Sequence, residues 1–385
     1  MPGWHAETLD LVAAGALQVA GILQEQHGDR ARLFHQWKRM DFPLMVDSFN
    51  ELGVKVVPIH ILLDAQGRVA LINPRPAALR AWLEESTDEA AASAIDRPSR
   101  SQPSQAESLL AYGTAEMLQR TELTEVMAKL RAATQHPEVA DRAWFRLGVV
   151  QRMQFEQSEE PADFAAAVEA WGKALALDPN QYIWRRRIQQ YGPRLDKPYP
   201  FYDWVAQARS EIEARDETPI ALAVEPAGAE LAAPIPRNAE IADDTQSPTI
   251  PADADQITRD DGLILADAIV VPDTQGRPAA RLHLSFRPNP ARAAYWNNEV
   301  EPARLWLRLP DGWRAASRYT SWPGPDQEVS DELRRAEFEV RFPADLNAKD
   351  AKGKAVLLAH VCEGVDGTCV YRRIPVTIQF PAKAE

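Results

Sequence analysis

The sequence predicts a multidomain chain built from an α/β module, an α-helical region and an all-β sandwich, in that order. Three patterns carry the prediction. Up to about residue 85, strand-length apolar runs alternate with stretches of helical periodicity. From about 107 to 215, apolar residues recur at the i, i+3, i+4, i+7 spacing of helices. From 259 to 381, six short runs of strand composition follow one another, separated by turn residues.

The totals agree with several domains. A chain of 385 residues is too long for one core, and 45% apolar residues suffice for more than one. The 30 prolines outnumber the 18 glycines and gather between segments, as in a chain of modules on linkers. A net charge of −13, with only the short Arg185–Arg187 run as a basic cluster, excludes nucleic acid as a natural partner, because phosphate binding needs a positive field. No apolar stretch approaches the ~20 residues of a membrane span. Residues 9–23 are apolar but interrupted, and no charged-then-apolar leader opens the chain, so as written it reads as soluble. No cofactor motif is present. The only cysteines are Cys362 and Cys369; two cannot form a stabilising framework, so a bridge between them is local and needs a chemical explanation.

In the first module, residues 1–85, a helix is expected over 5–14 and a buried strand over Leu17–Leu23. Ala31, Leu33, Phe34 and Trp37 give Asp29–Met40 a helical period. A short strand, Phe42–Val46, leads to a short helix, Ser48–Leu52, closed by Gly53. A strand is expected to start at Pro58 and run to Leu63; Asp64–Gly67 then turns the chain into Arg68–Ile72, and a helix over Ala77–Glu85 ends the module.

The run Gly53-Val-x-x-Val57-Pro58-x-x-x-Leu-Leu-Asp64-x-x-Gly67-x-Val resembles the second half of a thioredoxin-like fold of the redoxin or TlpA type. The resemblance implies that Pro58 is the family's cis-proline, which exposes the backbone of Val57 for pairing with an extended thiol substrate; Val57 and Pro58 are thus the implied substrate-binding residues. A proline that merely opens a strand accounts for the same residue. The family also places Cys-x-x-Cys at the start of its first helix, where the helix dipole lowers the thiol pKa. Here Met1-Pro2-Gly3-Trp4-His5 stands where that motif belongs, and both cysteine positions hold other residues. Either the strand and dithiol lie upstream, or the module has lost them. His5 and His60 are conceivable acid–base groups, but isolated histidines near strands are usually structural.

Residues 86–106 are polar, Ser- and Ala-rich and aperiodic, which marks a linker. In the helical region, 107–215, Trp144-x-x-Leu147-Gly148, followed by Ala167, Trp171, Ala174 and Asp178-Pro179, resembles a tetratricopeptide (TPR) repeat with about seven extra residues. An ordinary helical hairpin is the alternative. The resemblance implies a peptide or protein partner here. The aromatic run Tyr199-Pro-Phe-Tyr202-Asp-Trp204 is expected to pack against a neighbouring domain. Residues 216–258, rich in Ala, Pro, Asp and Glu, are expected to be an extended acidic tether.

Strands are expected over Leu263–Val271, Ala279–Phe286, Ala303–Leu309, Ala336–Phe342, Val356–Val361 and Val370–Phe380. Without intervening helices they imply an antiparallel sandwich of the immunoglobulin kind. In its last hairpin, six residues separate Cys362 from Cys369, a spacing that lets the two face each other at the ~5.5–6 Å Cα separation of a disulfide. Such a bridge is either a clip or an exchanger. Closing an eight-residue loop is worth only about 2.5 kcal/mol, against about 4.7 for a 100-residue loop. The difference makes the short bridge roughly 50 mV easier to reduce, other things equal. Metal binding needs three or four soft ligands, and only His360 lies nearby, so no metal is expected.

This hairpin and its strands resemble the amino-terminal sandwich domain of the DsbD family of thiol:disulfide interchange proteins, whose two cysteines are one residue closer. The family commonly has a proline soon after the second cysteine, whereas here it waits until Pro375. The resemblance implies thiol–disulfide exchange at Cys362 and Cys369, a thiol or disulfide protein as partner, and a periplasmic or other extracytoplasmic setting. A non-catalytic adaptor with a structural bridge is the competing reading.

Overall fold

The structure is a computed structural model that describes residues 2–86, 104–118, 122–193, 202–231, 247–255, 262–343, 352–364 and 367–380. It mixes helix and sheet, with nine α-helices and several antiparallel sheets among the described residues. The chain divides into two compact units, each with its own core. One comprises Met1–Gln151, Glu169–Arg186 and Tyr202–Pro226; the other comprises Arg152–Val168, Arg187–Phe201 and Ala227–Glu385.

The first unit opens with α1 (Pro2–Ala13), β1 (Gly21–Leu23), α2 (Gly28–Lys38) and β2 (Leu44–Val46). The hairpin β3 (Ile61–Leu63) and β4 (Val69–Ile72) follows, and then α3 (Pro76–Ser86). β1 and β2 pair in parallel, β3 and β4 antiparallel. The hairpin turns where Asp64 accepts hydrogen bonds from the Gln66 and Arg68 N–H groups and Gly67 supplies a φ of 76°. Leu62 buries its side chain with Leu17 and Leu79, backed by Trp4, Leu11, Leu71 and Trp82. Ile61, Leu63, Val69 and Ile72 stay exposed.

Six helices come next: α4 (Gln105–Leu118), α5 (Leu123–Ala133), α6 (Ala140–Ser158), α7 (Pro161–Leu177), α8 (Tyr182–Gln189) and α9 (Trp204–Glu213). The Trp-x-x-Leu-Gly pattern has a physical cause: a Cβ on Gly148 would lie 2.5 Å from the Trp171 indole, so only glycine lets the ring approach. Phe145 stacks on Trp184 at 5.3 Å between ring centroids. On α9, Trp204 stacks on Trp37 of α2 at 5.9 Å, and Tyr202 holds the Arg30 guanidinium over its ring, so the described part of the aromatic run packs inside this unit. Arg215 donates to the Gln36 and Trp37 carbonyls in the last turn of α2.

The second unit holds β5 (Ile264–Pro272), β6 (Ala279–Pro288), β7 (Ala294–Asn297), β8 (Ala303–Arg308) and β9 (Arg314–Ala315). It continues with β10 (Tyr319–Trp322), β11 (Val329–Ser330), β12 (Arg334–Arg341), β13 (Lys352–Glu363) and β14 (Cys369–Gln379). One sheet has the order β5-β6-β12-β9; the other runs β10-β8-β13-β7-β11, with β14 added on β13. Alternate residues of both sheets, among them Leu282, Leu284, Phe286, Trp296, Leu305, Leu357, Val361 and Ile378, form one buried core. On the outside of β6 and β12, His283 lies between the Glu337 carboxylate, 3.1 Å from Nδ1, and the Tyr191 carbonyl, 2.8 Å from Nε2. Burial works against ionisation of Glu337, but the His283 hydrogen bond and charge, with Arg281, outweigh it and hold the carboxyl at about 2.

Several expectations are corrected. Ser48–Leu52 is a turn, because the Asp47 carboxylate takes the Glu51 and Leu52 N–H groups, at 2.7 and 3.2 Å, before a helix can form. The strand expected from Pro58 starts only at Ile61. The expected tether is anchored at several points in both of its main described stretches, 216–231 and 247–255. Ala223 donates to the Asp29 carboxylate; Ala254 is buried with Trp306, Val356 and Leu358; and the Trp306 indole N–H donates to the Pro248 carbonyl at 2.9 Å. Of the linker expected at 86–106, residues 87–103 lie outside the described residues. So do 232–246 and 256–258 of the tether, Tyr199–Phe201 of the aromatic run, and Val365 and Asp366 of the cysteine turn.

Candidate functional site

Strands β13 and β14 run antiparallel over eleven pairs, the last being Cys362 with Cys369. Their sulfurs are bonded at 2.07 Å, with a Cβ–S–S–Cβ dihedral of 95°. The next pair out is hydrogen-bonded, Glu363 N–H to the Thr368 carbonyl at 3.2 Å. Since pairs alternate, Cys362–Cys369 is a non-hydrogen-bonded pair, the type in which backbones come closest. Their Cα atoms are 3.9 Å apart, nearer than the separation expected from sequence, because the cysteines stand directly opposite each other.

The two sulfurs differ in setting. Along its other edge β13 pairs with β7, placing Tyr295 directly opposite Cys362, and the Gly364 N–H reaches the Ala293 carbonyl at 2.8 Å. Cys362 therefore has a strand on each side and is 1% exposed. Cys369 begins β14, the outermost strand, and is exposed. Two residues along, on the same face, the His360 and Tyr371 rings meet at 4.8 Å. Burial lowers the His360 pKa, favouring the neutral imidazole; among its neighbours Glu301 acts against this and Arg304 with it. The Arg373 guanidinium lies 4.8 Å over the Tyr371 ring, and Arg292 pairs with Glu363 at 2.7 Å beside the bridge. Among the described residues, no three His, Cys, Asp or Glu side chains gather to hold a metal.

Val57 and Pro58 belong to the first unit. Their peptide bond is cis and both residues are exposed, yet this unit contains no cysteine. His60 stacks on Trp4 at 5.0 Å, and burial lowers its pKa. His5 lies 3.7 Å from Asp41 and meets the Phe42 ring edge-on, so the two histidines sit in separate packing contacts.

The spacing of the two cysteines makes them legible in the sequence; Tyr295 is not, since the four-residue β7 is too short to show a period. No family model matches the chain, and no curated protein matches its sequence.

Proposed function

We propose that the protein carries out thiol–disulfide exchange at Cys362–Cys369, in an oxidising, extracytoplasmic compartment. The carrying observation is the unequal exposure of the two cysteines, Cys362 buried and Cys369 exposed. An incoming thiolate can reach Cys369 but not Cys362, so attack has one direction: a mixed disulfide forms at Cys369 and Cys362 leaves as a thiolate. A purely structural clip has no need of an exposed sulfur on an outermost strand. The two packed antiparallel sheets support reading this unit as an immunoglobulin-like sandwich of the DsbD kind.

In the first unit, the order of helices and strands supports a thioredoxin-like module without a dithiol, with the exposed Val57 and Pro58 as its substrate-pairing edge. The glycine-to-tryptophan approach of α6 and α7 supports a tetratricopeptide-like adaptor for a peptide or protein. The deciding measurement is the reduction potential of the bridge. We expect a value above about −300 mV in glutathione or dithiothreitol redox buffers, whereas a lower value marks a structural bridge and removes the exchange reading.

A further inference from the structure

The structure assigns His360 as the proton acceptor of Cys362 in the step that closes the bridge. The inference rests on the exchange reading above and adds a residue beyond the two cysteines. Leu357, Ala359 and Val361 of β13 lie in the core, so the residues between them point the other way, and His360 and Cys362 share the outer face of the strand. Positions two apart on a strand are separated by about 7 Å, a gap that an imidazole spans. Across the hairpin, Tyr371 stands opposite His360 and Cys369 opposite Cys362, so the imidazole and both sulfurs occupy adjacent rungs of one face.

Each round of exchange needs a base at Cys362. Once reduced, it is a thiol with a strand on each side, and apolar burial raises a thiol above the ordinary value of about 8.5. The other groups around His360 do not serve. β14 presents the Tyr371 phenol and the Arg373 guanidinium, β7 the Tyr295 phenol, and all three hold their protons at neutral pH. Glu301 is paired with Arg304 of β8 at 2.6 Å. The stretch 247–255 brings the apolar Ile250 and Ala254 against Leu358 and Tyr371. Glu363 follows Cys362 but points to the opposite face, and it pairs with Arg292 at 2.7 Å. Burial lowers the His360 pKa, with Arg304 acting the same way and Glu301 against it, so the ring is neutral and able to accept.

In the closing step the imidazole takes the Cys362 thiol proton, and the Cys362 sulfur attacks Cys369 in its mixed disulfide with the partner. The Cys362–Cys369 bond forms, the bond from Cys369 to the partner's sulfur breaks, and its electron pair leaves with that sulfur. Cys362 is oxidised and the partner's sulfur reduced. In the opening step the same ring returns the proton to the departing Cys362.

The test follows the reduced full chain mixed with one equivalent of dithionitrobenzoate. Attack by Cys369 releases a first thionitrobenzoate, and closing by Cys362 releases the second in a slower, first-order phase. In the wild type the slow phase should rise with pH and level off beyond a bend below the ordinary histidine value of 6.5. His360→Ala should lose the bend and slow this phase about a hundredfold near neutral pH, the lower end of what a positioned acid–base group contributes. His360→Gln keeps a polar side chain of similar reach and should show the same loss, which serves should the alanine variant fold poorly. A slow phase as fast as wild type in these variants, or one slowed equally at every pH with the bend kept, overturns the role of His360 while exchange stands. If intact mass shows the wild type keeping the adduct and never closing the bridge, exchange itself fails and the proton acceptor falls with it.

Discussion

Gly148 and Gly172 both lie in helices, where an alanine would ordinarily stabilise by up to about 1 kcal/mol. Their surroundings separate them. A Cβ on Gly148 meets the rigid, fully buried Trp171 indole at 2.5 Å, whereas one on Gly172 meets nothing within 4 Å. Overpacking a filled core costs about 1–3 kcal/mol, which exceeds the gain in helix propensity. We therefore expect Gly148→Ala to lower the urea midpoint and Gly172→Ala to raise it slightly. Two equal shifts would show that the indole moves aside. At Glu337 the sign also follows from the site. Its carboxyl is held at about 2 in the fold against an ordinary value of 4.5, so its contribution is fully present above 4.5 and lost as pH falls from there toward 2. Glu337→Gln should flatten the fall in urea midpoint across that window, and an unchanged slope would show that other carboxyls govern it.

The elements legible in the sequence are those long enough for a period to show. β5, β6, β8, β12, β13 and β14 begin within about four residues of where alternation placed them, as do α1, α2 and α3. β7, β9, β10 and β11 have only two to four residues each, too few to alternate, and they exist because longer neighbours supply their hydrogen bonds. Ser48–Leu52 misled because a helical composition says nothing of the Asp47 side chain, which takes the same N–H groups. The stretch 216–258 misled because polar composition hides single anchors such as Ala254 and the Pro248 carbonyl. The cysteine pair was legible from spacing, but its asymmetry was not. That depends on β7 covering one side of β13 and leaving β14 outermost, a matter of sheet order and not of local sequence.

At the scale of the whole molecule, the only covalent cross-link lies in the second unit, and the first unit contains no cysteine. In the chain-entropy account, an eight-residue loop closed by a disulfide is worth about 2.5 kcal/mol, and its reduction acts on the unfolded ensemble of the unit that holds it. Each unit has a core of its own, so the loss should be local to one of them. Hydrogen exchange read by mass spectrometry can locate it. With dithiothreitol present, amides of β13 and β14 that exchange by opening of their unit should lose protection by up to about 70-fold, the equivalent of 2.5 kcal/mol. Amides of β3, β4 and α5 should be unchanged. Loss of protection in those elements as well would show that the bridge supports the entire chain. No loss in β13 and β14 would show that their eleven-pair register holds the hairpin without it, and that the bridge is free to open and close in exchange at no cost to the fold.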